Sequence, residues 1–371
     1  MDFDFSGEQL QLAETLQRWA ARDYGFDARQ KIIASEEGVS ARAWNALVDI
    51  GVLALPVPEA QGGFNGSTLD LFVVMRELGR ALVVEPYFAT VLGAHFLKLG
   101  GVHAAQLEQV ASGDLKLACA LDESAARHEL FALSTTLTPA AGGYLLKGSK
   151  CAVVHGAQAG MLVVSARGPD GVAVVLVPRD ATGVHVAGYR SLDGQRGASI
   201  TFDDVAVPRH ALIGGADLLD AAADHGAALL CAEALGAMEA LVAATLEYLK
   251  TRTQFGAPIG KFQALQHRMA DMLVHLEQAR SMALLAAVRA DSAEAGERRR
   301  AVSAAKYRIG QALTFIGQQA VQLHGGMGVT DELPAAHHFK RLTMIGQTLG
   351  DASHHLRRFM AQPEFAAGVA A

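Results

Sequence analysis

Apolar positions recur with a helical period at both ends of the chain and with a shorter, strand-like period in its middle, so the pattern predicts three segments. Ser6 and Gln9 stand at capping-box spacing, in which a hydroxyl and an amide satisfy free backbone donors, and Leu12, Leu16 and Trp19 then share one face. A helix should start near residue 7. Trp44, Leu47 and Val48 continue the helical pattern, as does the stretch from Leu71 to Leu82, and the breaker-rich loop Pro56, Pro58, Gly62, Gly63, Gly66 separates them. From about Leu117 the period shortens to β-branched runs: YLLKGSK at 144–150, MLVVSAR at 161–167, VAVVLVP at 172–178 and ITFDDVAVP at 200–208. No helical pattern separates these runs, which predicts an antiparallel β-barrel or sandwich. After Pro208 the helical period returns, with Leu235, Met238, Val242, Thr245 and Leu249 on one face. The reading is α+β: a helical domain over 1–115, a β-domain over 116–211 and a helical bundle over 212–371.

Composition agrees with several packed units. The 371 residues are 51% hydrophobic and 19% charged, enough apolar surface for large cores and far from the regime of disorder. Lys plus Arg number 32 against 38 Asp plus Glu, a net charge of −6, so no global positive field gathers nucleic acid or an anionic membrane. Cys119, Cys151 and Cys231 are few, odd in number and far apart, which argues for a reducing compartment without disulfides or a cysteine metal site. The N-terminus MDFDFSGEQLQLAETL is acidic where a signal peptide is basic. The most apolar long stretch, Ala227 to Leu249, is interrupted by Glu233, Glu239 and Glu247, which a membrane span tolerates poorly. A cytoplasmic location is expected.

Two motifs carry chemistry. RTQFGAPIGKFQALQHRMADM at 252–272 opens on Arg252, a guanidinium able to fork onto a phosphate after a long helix. QLHGGMG at 322–328 places Gly325 and Gly326 where a backbone could approach a ligand closely. In this order, about 70 residues apart and following a β-domain, they resemble the acyl-CoA dehydrogenase flavoproteins. The PEAQGG loop at 58–63, the GYLLKGSK hairpin at 143–150 and the FDDVAVP strand at 202–208 extend the resemblance along nearly the whole chain. It implies an N-terminal helical domain, a middle β-domain and a C-terminal four-helix bundle, with FAD between the last two and its adenosine end crossing a subunit interface. It also implies that Arg252 holds the pyrophosphate, that Gln254 and Phe255 line that end, and that Gln322, Gly325 and Gly326 meet the FAD of a neighbouring subunit. Leu121 and Val154 would contribute contacts from the β-domain. As residues alone, Phe255 also reads as core, Gln322 as solvated and the glycines as a helix terminator, though the set taken together favours the cofactor.

The implied reaction is α,β-dehydrogenation of an acyl-CoA thioester: a carboxylate takes the α proton while the β hydride moves to flavin N5, and an electron-transfer flavoprotein drains the electrons. The usual base would follow the glycine-rich motif, yet Leu349 stands in its place within Thr348, Leu349, Gly350, Asp351. Asp351 is the nearest carboxylate and reads equally as a helix N-cap. A second base position used in the family falls near Gly226, where the nearest helical carboxylate is Glu233, expected to face away from the apolar seam into solvent or an interface. The flavin-covering Trp and its neighbouring Thr are replaced by Ala152 and Val154, and the stretch that passes over the flavin reads LDESAARHE from Leu121 to Glu129. His155 and His324 receive no role. These departures resemble the pimeloyl-CoA dehydrogenase small-subunit type, similar to partner chains of heteromeric enzymes acting on dicarboxylyl- or steroid-derived acyl-CoA. Three functions stand open: a catalytic FAD-dependent subunit of a homo- or hetero-oligomer, a non-catalytic structural partner that completes the FAD site of a paired chain, and a flavin oxidase or monooxygenase on the same fold.

Overall fold

The computed structural model describes residues 5–363. The capping box forms as the spacing requires: Gln9 N donates to Ser6 Oγ at 3.2 Å, Ser6 N donates to Gln9 Oε1 at 2.9 Å, and α1 runs Gly7–Asp23. α2 (Phe26–Ala34), α3 (Ala41–Ile50), α4 (Thr68–Arg80), α5 (Tyr87–Gly100) and α6 (Ala104–Ala111) follow. The strands are β1 (Leu117–Ala120), β2 (Thr136–Ala140), β3 (Gly143–Val154), β4 (Met161–Gly168), β5 (Gly171–Pro178), β6 (Val184–Arg190), β7 (Arg196–Pro208) and β8 (Leu212–Gly214). The chain then forms α7 (Ala216–Thr251), the hairpin β9 (Thr253–Gln254) and β10 (Ala257–Pro258), and the helices α8 (Gln263–Arg289), α9 (Ala295–His324), α10 (Pro334–Ile345) and α11 (Ala352–Met360).

Two compact units result, and neither is one stretch of sequence. One holds the chain up to Arg29, Thr68–Val83 and everything from Ala227; the other holds Gln30–Ser67 and Val84–Gly226. The segment 1–115 therefore divides between them: α1 packs on α4 and α4 on α8, whereas α5 packs on β1.

In the second unit the eight strands run in the order β6-β7-β3-β2-β4-β5-β8, with β1 added beside β4. The sheet is mixed, which departs from the antiparallel expectation. β1 pairs with β4 in parallel, and so does the end of β2. The β2–β3 hairpin lies between β1 and β4 in the chain and supplies the long crossover that parallel strands need; LACA, only four residues long, gave no readable alternation. Leu137, Leu146, Leu162, Val164, Val175, Ile200 and Phe202 form the interior. Under this sheet Lys150 is 1% exposed, and its Nζ donates to Glu123 Oε1 at 2.8 Å, Ser165 Oγ at 3.0 Å and Leu121 O at 3.1 Å.

In the first unit α7 is long and apolar enough to cross a bilayer by length and composition, but 83% of its most apolar window is buried inside the protein. Gly79 and Gly236 let α4 and α7 touch backbone to backbone: a Cβ would stand 2.2 Å from Glu233 O at the first and 1.8 Å from Arg76 O at the second. The seam Leu235, Met238, Val242, Thr245 and Leu249 is buried throughout.

Burial works to raise the Glu123 carboxyl, but hydrogen bonds from Lys150 and Ser134 and the Lys150 charge outweigh it and hold it at about 2. A folded value below the unfolded 4.5 means that the stabilisation is complete above pH 4.5 and is lost as pH falls towards 2. Lys150→Met should therefore cost about 3–5 kcal/mol in urea unfolding at pH 7, because Glu123 would stay buried without its cation. Adding Glu123→Gln should recover most of that loss and flatten the acid limb of the stability curve; a single variant as stable as the parent would contradict this.

Candidate functional site

The last turn of α7 and the last turn of α9 meet at one end of the bundle. Tyr248 stacks on His324 with ring centroids 4.5 Å apart, and its hydroxyl donates to His324 O at 3.3 Å. One turn beyond Tyr248, Arg252 anchors its N–H on Tyr248 O at 2.8 Å and leaves its guanidinium exposed, with no side-chain partner among the described residues. One residue beyond His324 come Gly325 and Gly326, where an added Cβ would meet nothing within 4 Å. Gln322 is exposed on the last turn of α9. Within this chain the two sequence motifs stand at adjoining helix ends, which Tyr248 and His324 tie to each other.

Gln254, Phe255 and Gly256 lie on the hairpin beyond Arg252. Phe255 and Gly256 are its two-residue loop, with φ of 52° and 75°, the doubly left-handed geometry of a type I′ turn. A phenylalanine there is strained. It leaves Phe255 94% exposed, so the reading of Phe255 as core does not hold. Gln254 is also exposed, and its side-chain amide donates to the Thr253 carbonyl at 2.8 Å.

The segment between α10 and α11 is held from below. Lys306 Nζ, buried, donates to Ile345 O at 2.7 Å, and burial pushes its ammonium down to about 8. His355 Nε2 bonds to Leu349 O at 2.9 Å, which fixes the tautomer with its proton on that nitrogen. Burial, helped by the Lys306 charge, pushes His355 down to about 2, so the ring is neutral. Leu349 occupies a left-handed conformation with φ 52°, and Asp351 caps α11, its Oδ1 accepting His354 N–H at 2.7 Å. Glu233 is not solvated, contrary to expectation. It is 5% exposed, and Arg341 engages both its oxygens, Nε to Oε1 at 2.6 Å and Nη2 to Oε2 at 2.8 Å. Glu233 therefore has both carboxylate oxygens engaged by one guanidinium.

Of the β-domain candidates, Leu121 is turned inward, 3% exposed and with its carbonyl accepting from Lys150. Val154 is half-buried at the end of β3. Sequence reading missed Tyr248, Lys306 and Arg341. Lys306 had a signal: it shares a helical face with Val302, Ile309 and Leu313, and an apolar face does not hold a lysine without a partner. Among the described residues no group of three or more His, Cys, Asp or Glu is placed to hold a metal.

Family profiles for the acyl-CoA dehydrogenase N-terminal, middle and C-terminal domains match residues 6–113, 118–205 and 214–361. The chain belongs to the acyl-CoA dehydrogenase family. Acyl-CoA dehydrogenase IpdE2 of Mycobacterium tuberculosis is 30% identical over 357 residues, covering 96% of this chain and 97% of that one. The mitochondrial short-chain specific acyl-CoA dehydrogenase of Homo sapiens is 30% identical over 337 residues, 84% of this chain and 81% of that one. Among solved structures, a variant of the Tcur3481-Tcur3483 steroid ACAD superposes with a TM-score of 0.91 at 29% identity, covering 98% and 99% of the two chains. The ChsE4-ChsE5 complex from Mycobacterium tuberculosis gives 0.88 at 26% identity, covering 96% and 97%.

The protein is thus an FAD-dependent oxidoreductase of the acyl-CoA dehydrogenase type. Its residues fit the cofactor's phosphates: a guanidinium with no side-chain partner among the described residues and a glycine pair with open backbone follow two helix ends that are tied to each other. Arg252→Ala should weaken FAD binding by about 1.5–3 kcal/mol, the worth of a charge-assisted hydrogen bond. Gly326→Val should leave the circular dichroism unchanged, since the space is open, yet strip the flavin absorbance. Full flavin content in either variant at limiting FAD would remove that residue from the site.

Proposed function

We propose that this chain is one subunit of a multimeric, cytoplasmic acyl-CoA dehydrogenase, that it contacts FAD, and that a paired chain supplies the base for α-proton removal. The observation that carries this reading is Leu349: the segment keeps a buttressed, left-handed backbone at the position where a carboxylate is expected, but the side chain there cannot take a proton. The other two candidates are engaged elsewhere, Asp351 as a helix cap and Glu233 with Arg341. FAD, when bound, accepts the β hydride of the acyl thioester. This chain's part is to hold the phosphates with Arg252 and the Gly325–Gly326 backbone and to present Gln254 and Gln322 beside them.

Several features support an assembly. Phe255, 94% exposed at the tip of a strained turn, is an apolar surface that a second chain would cover. Two of the solved structures similar to this chain are named for two paired chains, Tcur3481-Tcur3483 and ChsE4-ChsE5, and the first is a steroid enzyme. We accordingly assign bulky, steroid-derived or dicarboxylyl acyl-CoA as the substrate class and an electron-transfer flavoprotein as the acceptor. The second reading keeps the base in this chain at Asp351.

Two variants at Asp351 separate the readings. Asn caps a helix about as well as Asp, so if Asp351 is a cap, Asp351→Asn should leave turnover and stability nearly unchanged, while Asp351→Ala should cost about 0.5–2 kcal/mol of stability. Flavin reduction by a panel of acyl-CoA esters, measured by stopped flow on the complex co-expressed with its paired chain, provides the test. Loss of most turnover in a stable Asp351→Asn complex would return the base to this chain.

A further inference from the structure

A cavity of about 500 Å³ opens between the C-terminal half of α7, the turn that follows the β9–β10 hairpin and the first half of α8. All of its walls belong to one compact unit, and none of the cofactor residues assigned above lines it. Leu249 and Met269 form a buried floor, 3% and 5% exposed, whereas Leu246 and Leu273 stand at the mouth with 37% and 43% of their surface exposed. Apolar side chains scattered singly over a surface need no explanation, but these four line one concave space. The walls are held in place. A Cβ at Gly260 would lie 2.9 Å from Leu249 O, so the turn runs against α7, and Gln266 Nε2 of α8 donates to Gly260 O at 2.9 Å.

The charged residues that line this space are Lys250 and Lys261, with no carboxylate among the lining residues. Lys250 meets Glu247 on the exposed face of α7 at 2.7 Å, and Lys261 is exposed with no ion-pair partner among the described residues. Lysines at such a mouth lay their stems on apolar surface and keep their ammonium groups in water. A two-fold contact with a second copy through this face would bring the same lysines towards each other, which disfavours that occupant. An apolar chain that ends in an anion satisfies both features.

We propose that this cavity is a binding site for a fatty carboxylate, with the hydrocarbon chain on Leu249 and Met269 and the carboxylate at the mouth beside Lys250 and Lys261. The site is separate from the cofactor-binding groups, and it does not depend on the reading that this chain contacts FAD.

Calorimetric titration tests it with decanoate, decanol, decylammonium and decanoyl-CoA as probes, on the full chain and on the complex co-expressed with its paired chain. Decanoate should bind in both preparations and more tightly than decylammonium, and decanoyl-CoA should bind no more tightly than decanoate. Replacing both lysines, Lys250→Gln with Lys261→Gln, should weaken decanoate about fourfold to twenty-fivefold, two- to fivefold for each exposed charge, and leave decanol unchanged. Ala270→Trp, at an exposed wall position of α8, should fill the cavity and remove binding of decanoate and decanol alike, with parent-like circular dichroism. Absence of decanoate binding, equal affinity for decanoate and decylammonium, or parent-like decanoate binding in the Ala270→Trp variant would overturn the proposal. Binding by the chain alone that vanishes in the complex would also overturn it, since the cavity would then be a subunit contact.

Discussion

The bundle depends on the burial of α7 together with Glu233 and Glu239. The helix is too apolar to lie against water, so Glu233 and Glu239 go inside with it, and each must meet a cation there. Arg341 of α10 grips Glu233, while Arg76 and Arg80 of α4 and Arg280 of α8 converge on Glu239. These pairs specify register more than they add stability. Two uncompensated carboxylates in an apolar interior would be costly, so the helices carrying the arginines can dock in few other ways. The glycine contacts between α4 and α7 sharpen the same constraint, because any other residue at either position would force the backbones apart.

Function-bearing segments hang from this frame at its edges. The last turns of α7 and α9, joined through Tyr248 and His324, carry Arg252 and the Gly325–Gly326 pair at one end of the bundle, and among the described residues Arg252 has no side-chain partner. The connection from α10 to α11 is fixed by Lys306 and His355, both drawn from within the bundle and both bonded to carbonyls. The backbone around Leu349 is therefore determined by its support and not by its side chain, and a leucine can sit where other chemistry would be expected without loosening the fold.

The β-unit uses a comparable device. Lys150 and Glu123 form a buried pair that ties β3 to the segment after β1, with Ser134, Thr135 and Ser165 satisfying the remaining polar atoms. Directly after Lys150 the strand bulges, so the fixed lysine and the displaced Ala152 are neighbours. A rigid anchor followed by a bulge re-aims the end of a strand, and bulges commonly lie beside binding sites for that reason.

Much of this was legible in the chain. The capping box, the α7 seam and the four longer strands follow from local spacing, since each depends on residues within a few positions of one another. The flavin motifs were legible as motifs because their residue types and order carry the chemistry. What local pattern could not decide was pairing over long distances. The parallel placement of β1 beside β4, the division of the N-terminal helices between two units and the meeting of the α7 and α9 ends through Tyr248 and His324 are each set by which surfaces find one another. Glu233 shows the difference most plainly. Its angle on the helix wheel turned it away from the Met238 seam, and a charged side chain turned from one apolar seam is expected in water. Arg341, 108 residues along the chain, gave it a partner on that other side, and a paired charge can be buried where a lone one cannot.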